Sequence, residues 1–168
     1  REFALYSVAS MLHRVTAAHD VDPSALEVEI TEEAILDPAL ADEQLKQLEQ
    51  AGYKLAVDDF GMGHSSLAYL IGLKVDRLKI DRSFVKDVAR SETNQKLISA
   101  MVSLGQSLSL EIVVEGVETP EDAAILARLG CSIAQGYLFA RPMPANALDT
   151  WIADHQPTAL KRKTKAKH

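Results

Sequence analysis

A single cysteine, Cys131, rules out an internal disulfide, and a reducing cytoplasm is the simplest home for such a chain. No stretch of about 18 apolar residues occurs, which excludes a membrane-spanning helix. Residues Arg1 to Ser10 mix charge with apolar side chains and lack the layout of a signal peptide. No Gly/Ser/Pro-rich linker divides the chain, so it reads as one domain. With 168 residues and 47% hydrophobic composition it can bury a core. Its five histidines, His13, His19, His64, His155 and His168, are scattered and never fall at metal-ligand spacing. That excludes a structural zinc site.

Positive charge is scarce except at one end. The formal net charge is −6, yet Lys161 to His168 hold five Lys or Arg and no acid, so the rest of the chain carries −11. So acidic a body repels the phosphates of a nucleic-acid polymer. The expected division is a folded portion over 1–155 and a basic, disordered tail over 156–168.

What is present is an alternation of short β-rich runs and amphipathic helices. Phe3 to Ala18 reads as a helix, with Leu5, Val8, Leu12 and Val15 at helical spacing. Leu26–Ile30, Tyr53–Val57, Arg77–Ile80, Glu111–Val114 and Cys131–Ala134 read as strands. Helices are expected over Leu40–Ala51, Ser65–Leu70, Thr93–Leu108, Glu121–Leu129 and Asn146–Ala153, with Gly52 and Gly130 as stops. Such alternation predicts a parallel α/β sheet.

Polar residues then cluster at or just past the C-terminal strand ends: Glu29 to Glu32, Asp58 and Asp59, Lys79 and Asp81, Glu115 and Glu118, and Gln135. An open doubly wound sheet also binds ligands at that edge. Five strands converging on one polar site fits a closed (β/α)₈ barrel better. Such barrels typically need about 250 residues. Five strands in a chain that opens with a helix therefore suggest an incomplete TIM-type barrel, with about five of eight βα units present.

The strongest local signal is Val57-Asp58-Asp59-Phe60-Gly61. Adjacent carboxylates leaving an apolar strand repel each other unless a cation neutralises them. The alternative is that one of them caps the following helix. Glu29 alternates with Val28 and Ile30, so it projects to the opposite face, but Glu29-Ile30-Thr31-Glu32 also reads as a helix cap. Lys79 offers a cation at the third strand end, or a structural salt bridge. Glu115-Gly116-Val117-Glu118 and Gln135-Gly136-Tyr137 repeat the strand-then-polar design, although Gln135 alone would pass as a turn residue. All candidate ligands are oxygen donors, which suits Mg²⁺ or Mn²⁺, less often Ca²⁺. Paired ions bridged by carboxylates are a common arrangement for hydrolysing phosphate esters.

These five motifs, in this order and approximate spacing, resemble the EAL-domain family of cyclic-di-GMP phosphodiesterases, from residue 1 to about Trp151. The resemblance implies a (β/α)₈ barrel, two Mg²⁺ or Mn²⁺ ions and hydrolysis of cyclic di-GMP to linear pGpG. It implies metal ligands at Glu29, Asp58, Asp59 and Glu115. Lys79 corresponds to the residue that orients or activates the attacking water, Gln135 to a contact with metal-held water, and Glu118 to the residue holding the loop after Asp59. The Glu-Ala-Leu stretch that names the family, and an Asn-x-Ser strand, do not occur in the chain. Met62 stands where Thr is usual and His64 where Tyr is usual.

Two other readings stay open. A degenerate module could sense cyclic di-GMP or dock a protein without cleaving the nucleotide. An unrelated metal barrel could abstract protons beside carboxylates with Lys79 as base. An open barrel also exposes strand edges, which predicts a homodimer or strand-exchanged oligomer.

Overall fold

A computed structural model of the chain describes residues 8–31, 38–62, 72 and 74–155. Helix α1 (Val8–Ala18) leads to strand β1 (Glu27–Thr31), followed by α2 (Pro38–Gln50) and β2 (Lys54–Phe60). Next come β3 (Arg77–Ile80), a single-turn helix α3 (Arg82–Val85), α4 (Glu92–Leu108) and β4 (Glu111–Val114). The chain closes with α5 (Pro120–Arg128), the short β5 (Ile133–Ala134) and α6 (Ala145–Asp154). Among the described residues, no helix is long and apolar enough to cross a membrane. Glu32, His64, the helix expected over 65–70 and the basic tail from 156 lie outside the described residues.

The five strands are all parallel and lie in the order β1-β2-β3-β4-β5. A doubly wound sheet reverses its strand order at a switch point. This sheet never reverses, so it forms an arc of a (β/α)₈ barrel.

Local chemistry explains the helices that carry the chain back between strands. Ser91 caps α4 by accepting a bond from Asn94 N, and Ser109 ends that helix in a left-handed turn at φ 60°. Thr119 caps α5 by accepting from Asp122 N, with Pro120 at the first helical position. Asp81 caps α3 through Ser83 N. The sequence had not suggested α3, because one turn carries too little periodicity.

Alternation along the strands sorts side chains into two faces. Ile30, Leu55, Val57, Leu78, Ile80, Ile112 and Val114 join the core formed with Leu48, Ile98, Val102 and Leu126. Their strand neighbours line the other face in two polar layers. At the N-terminal ends, Arg77 bridges Glu27 at 2.8 Å and Glu111 at 2.7 Å. At the C-terminal ends lie Glu29, Asp58, Lys79 and Glu115, with buried Ala56 and Val113 between the layers.

Beyond a one-residue shift of β1, two strand boundaries depart from the sequence reading: β5 is confined to Ile133–Ala134 rather than Cys131–Ala134, and β2 runs further than expected. The acidic doublet does not follow β2 but lies inside it. Val57 pairs with Leu78 and Phe60 with Ile80, so Asp58 and Asp59 together oppose the single residue Lys79. This β-bulge lets the ladder resume at Phe60, and Asp59 takes a left-handed backbone with φ 54°.

Candidate functional site

Five consecutive strands supply one cluster. Glu29 comes from β1, Asp58 from the β2 bulge and Lys79 from β3. Glu115 and Gln135 stand one position past β4 and β5. The ladder holds these last two in place: Glu115 N donates to Ile80 O at 3.0 Å, and Gln135 N donates to Val114 O at 2.9 Å. Their side chains therefore leave the same rim.

Lys79 sits at the centre and is only 5% exposed. Its Nζ lies 2.6 Å from Glu29 Oε1, 2.7 Å from Glu115 Oε1 and 3.1 Å from Asp58 Oδ1. Gln135 Nε2 donates to Glu115 Oε1 at 3.0 Å. Burial opposes the ammonium charge, but bonds to Glu115, Glu29 and Asp58 outweigh it and hold the Lys79 pKa above its ordinary value. Lys79 is therefore a fixed cation at neutral pH. It has no free lone pair with which to abstract a proton, which counts against the proton-abstracting barrel.

Asp59 stands apart from these ion pairs and is exposed. Desolvation, followed by the charges of Asp58 and Asp81, raises its carboxyl pKa, and Lys79 only partly offsets this. Asp81 moves the other way: burial raises it, but bonds from Ser83 outweigh that and hold it low. A structural cap and a site acid thus separate by environment.

The donor chemistry fits hard divalent cations. Asp58 Oδ1 is buried and accepts no well-directed hydrogen bond, despite its 3.1 Å approach to Lys79. Its cationic partner is the Lys79 ammonium, but without a directed bond the oxygen keeps coordinating capacity that a divalent ion could use. Glu29, Asp58 and Glu115 already share one cation, the Lys79 ammonium. Among the described residues, no three such side chains are grouped so as to hold an ion as they stand. The central position is taken by lysine.

A cleft of about 520 Å³ opens beside the cluster, lined in part by Glu115, Gln135, Glu118, Arg82, Tyr137 and Arg141. Glu118 is exposed in this cleft, and among the described residues it makes no bond to the Lys79 cluster. The loop it was expected to hold runs on from residue 63, outside the described residues. The sequence reading missed both arginines. Arg82 directly follows a strand-end acid, so the strand-end rule already pointed to its neighbourhood. Arg141 lies seven positions beyond β5, where no periodicity marks it.

The match to known proteins agrees with this geometry. The chain belongs to the EAL domain family, matching it over residues 4–142. It is 43% identical over 130 residues to the cyclic di-GMP phosphodiesterase NbdA of Pseudomonas aeruginosa, covering 76% of this chain and 16% of that protein. Among solved structures it is similar to the MucR phosphodiesterase in complex with c-di-GMP. There the TM-score is 0.82 at 41% identity, covering 87% of this chain and 60% of that one. It is also similar to Klebsiella pneumoniae BlrP1 with manganese and cyclic di-GMP. That TM-score is 0.74 at 36% identity, covering 79% and 34%. The chain spans 16% to 22% of the length of the first three curated relatives it matches.

Proposed function

We propose that this domain hydrolyses cyclic di-GMP to linear pGpG with the help of two Mg²⁺ or Mn²⁺ ions. The observation that carries this reading is the convergence of Glu29, Asp58 and Glu115 from three strands on one buried cation. Those acids and Asp59 would hold the ions. Divalent ions, when bound, would offset the charge of the phosphate and make a water acidic enough to attack at neutral pH. Lys79 then releases the acids and donates a hydrogen bond to the incoming water. Gln135 keeps Glu115 oriented. Water adds to phosphorus, the bond from that phosphorus to one ring 3′-oxygen breaks, and this oxygen takes up the proton the water gives up, so that the cyclic dinucleotide opens to pGpG.

A second reading is a module that binds the nucleotide without cleaving it. It is favoured by the Lys79 ammonium, which already balances Glu29, Asp58 and Glu115 without an ion. The two part on a single assay: the chain is incubated with cyclic di-GMP and Mn²⁺, and pGpG is followed by chromatography. Mn²⁺-dependent product supports hydrolysis. Binding without product supports the sensing module, and neither binding nor product overturns both.

The outer edges of β1 and β5 pair with no strand among the described residues. Unpaired edges favour association, so a homodimer or strand-exchanged oligomer in a cytoplasmic setting is part of this proposal.

A further inference from the structure

We propose that Met62 is an oxidation site: a hydroperoxide converts its thioether to a sulfoxide, which draws the Ser83 hydroxyl away from Asp81 and shifts the turn that carries Asp59. Divalent-ion binding at the acid cluster then falls. The ion response rests on the function proposed above and adds how that site is regulated.

The chain has four methionines, Met11, Met62, Met101 and Met143. Met62 is 59% exposed and Met11 47%, while Met101 and Met143 are partly buried. A dissolved oxidant therefore reaches Met62 and Met11 first. Their surroundings separate these two. Met11 belongs to α1, which packs on α2. The Met62 sulfur accepts a hydrogen bond from Ser83 Oγ at 3.2 Å, and Met62 N donates to Asp59 O at 3.2 Å. Met62 thus closes the turn by which the chain leaves the β2 bulge.

Ser83 links that turn to α3. Its hydroxyl has one proton and two acceptors within reach, the Met62 sulfur and the Asp81 carboxylate, whose low pKa the Ser83 bonds maintain. A thioether is a weak acceptor, so Asp81 keeps its share of that proton. The turn rests on α3 a second time through Gly61. A Cβ added there would stand 3.1 Å from the Phe84 ring and 2.7 Å from Met101 Cε. A change at the Met62 sulfur is therefore felt by both the turn and α3.

Oxidation changes the balance at Ser83. The sulfur bonds one peroxide oxygen, the oxygen–oxygen bond breaks, and the other oxygen leaves with both protons as water. The sulfide is oxidised and the peroxide reduced. The new sulfoxide oxygen is polar and stands one bond beyond the sulfur. It takes the Ser83 proton that Asp81 had shared and pushes the sulfur back from Ser83. Met62 N moves with its side chain, and Asp59 O follows through the bond between them.

The test treats the full chain with hydrogen peroxide, maps each sulfoxide by peptide mass spectrometry and titrates Mn²⁺ by calorimetry. Met62 sulfoxide should form at least as fast as Met11 sulfoxide, and Mn²⁺ affinity should fall roughly 10-fold. Methionine sulfoxide reductases should restore it. Met62→Leu should hold its Mn²⁺ affinity within about twofold through the same treatment, whereas Met11→Leu should stay sensitive. Met62→Gln, which carries an amide oxygen where the sulfoxide oxygen would be, should show the lowered affinity without peroxide. Circular dichroism should show each variant folded. A Met62 that resists peroxide while Met11 reacts would overturn the site. Complete Met62 oxidation with unchanged Mn²⁺ affinity would also overturn it and leave the proposed function standing. An untreated parent chain that binds no Mn²⁺ would overturn both.

Discussion

Lys79 Nζ lies 2.6 Å from Glu29 Oε1 although β2 separates their strands. The lysine reaches across its neighbour because the β2 bulge sets Asp58 and Asp59 against it and leaves the inner face open. One ammonium on β3 thus ties in acids from three other strands, β1, β2 and β4, at the rim where ligand chemistry is placed.

Replacing that cation should cost stability. Lys79→Met leaves three carboxylates facing one another. It is expected to lower unfolding free energy by about 1–3 kcal/mol in urea without divalent ions, since the acids remain partly solvated. Added Mn²⁺ should recover much of the loss by taking the lysine's place. A variant as stable as the parent in chelator would show that Lys79 does not hold the acids.

Asp58 is the most sensitive ligand candidate, because its Oδ1 is buried without a well-directed partner. Asp58→Asn should weaken Mn²⁺ binding at least roughly 100-fold and abolish the Mn²⁺-dependent rise in melting temperature. Retention of that rise would place the ion elsewhere. Asp81→Asn is the control: Asp81 caps α3, so its loss should lower stability without removing the ion response.

The N-terminal side of the sheet predicts an acid limb. Burial raises the Asp76 pKa, but bonds from Leu55 N and Lys54 outweigh it and set the folded value below 3.8. A depressed carboxyl contributes stability above its unfolded pKa and loses it as pH falls through the folded value. Asp76→Asn should therefore be less stable than the parent at pH 7. The two should converge as pH drops from about 4 toward the lower folded pKa. Parallel curves across that range would assign the acid limb to other groups.

Gly136 tests how tightly the loops after β4 and β5 interlock. An added Cβ would stand 2.2 Å from Val117 O and 2.3 Å from Val117 N, both backbone atoms. Neither atom can swing aside, and Val117 N itself donates to Gln135 O. Gly136→Ala is expected to lose about 2 kcal/mol or more, shift Gln135 and weaken ligand binding. Normal melting behaviour would mean the loops move freely.

Cys131 should be inert in the native state. Burial raises its thiol pKa to about 11, so little thiolate exists at pH 8. Iodoacetamide labelling should be slow until urea unfolds the chain. Rapid labelling of the folded protein would contradict the burial.

Much of the fold was legible in the chain. Arg77–Ile80 and Glu111–Val114 match their predicted strand bounds, because the first alternates charged and apolar residues and the second carries the apolar run Ile112–Val114. The β2 boundary was not, since two adjacent aspartates look like a strand end and a bulge leaves no periodic trace. The helix α3 and the cleft arginines were missed for a similar reason: one turn, or one side chain beyond a strand, lies below the length at which pattern speaks.

The sequence alone determined that acids and a lysine recur where strands end, because alternation and turn chemistry are local and read directly from neighbouring residues. It could not determine that Glu29, Asp58 and Glu115 share one ammonium, or that Arg82 and Arg141 line one cleft. Those relations depend on strand order, register and a two-against-one bulge. They are set by packing among segments far apart in the chain, where a shift of one residue would turn every side chain to the opposite face.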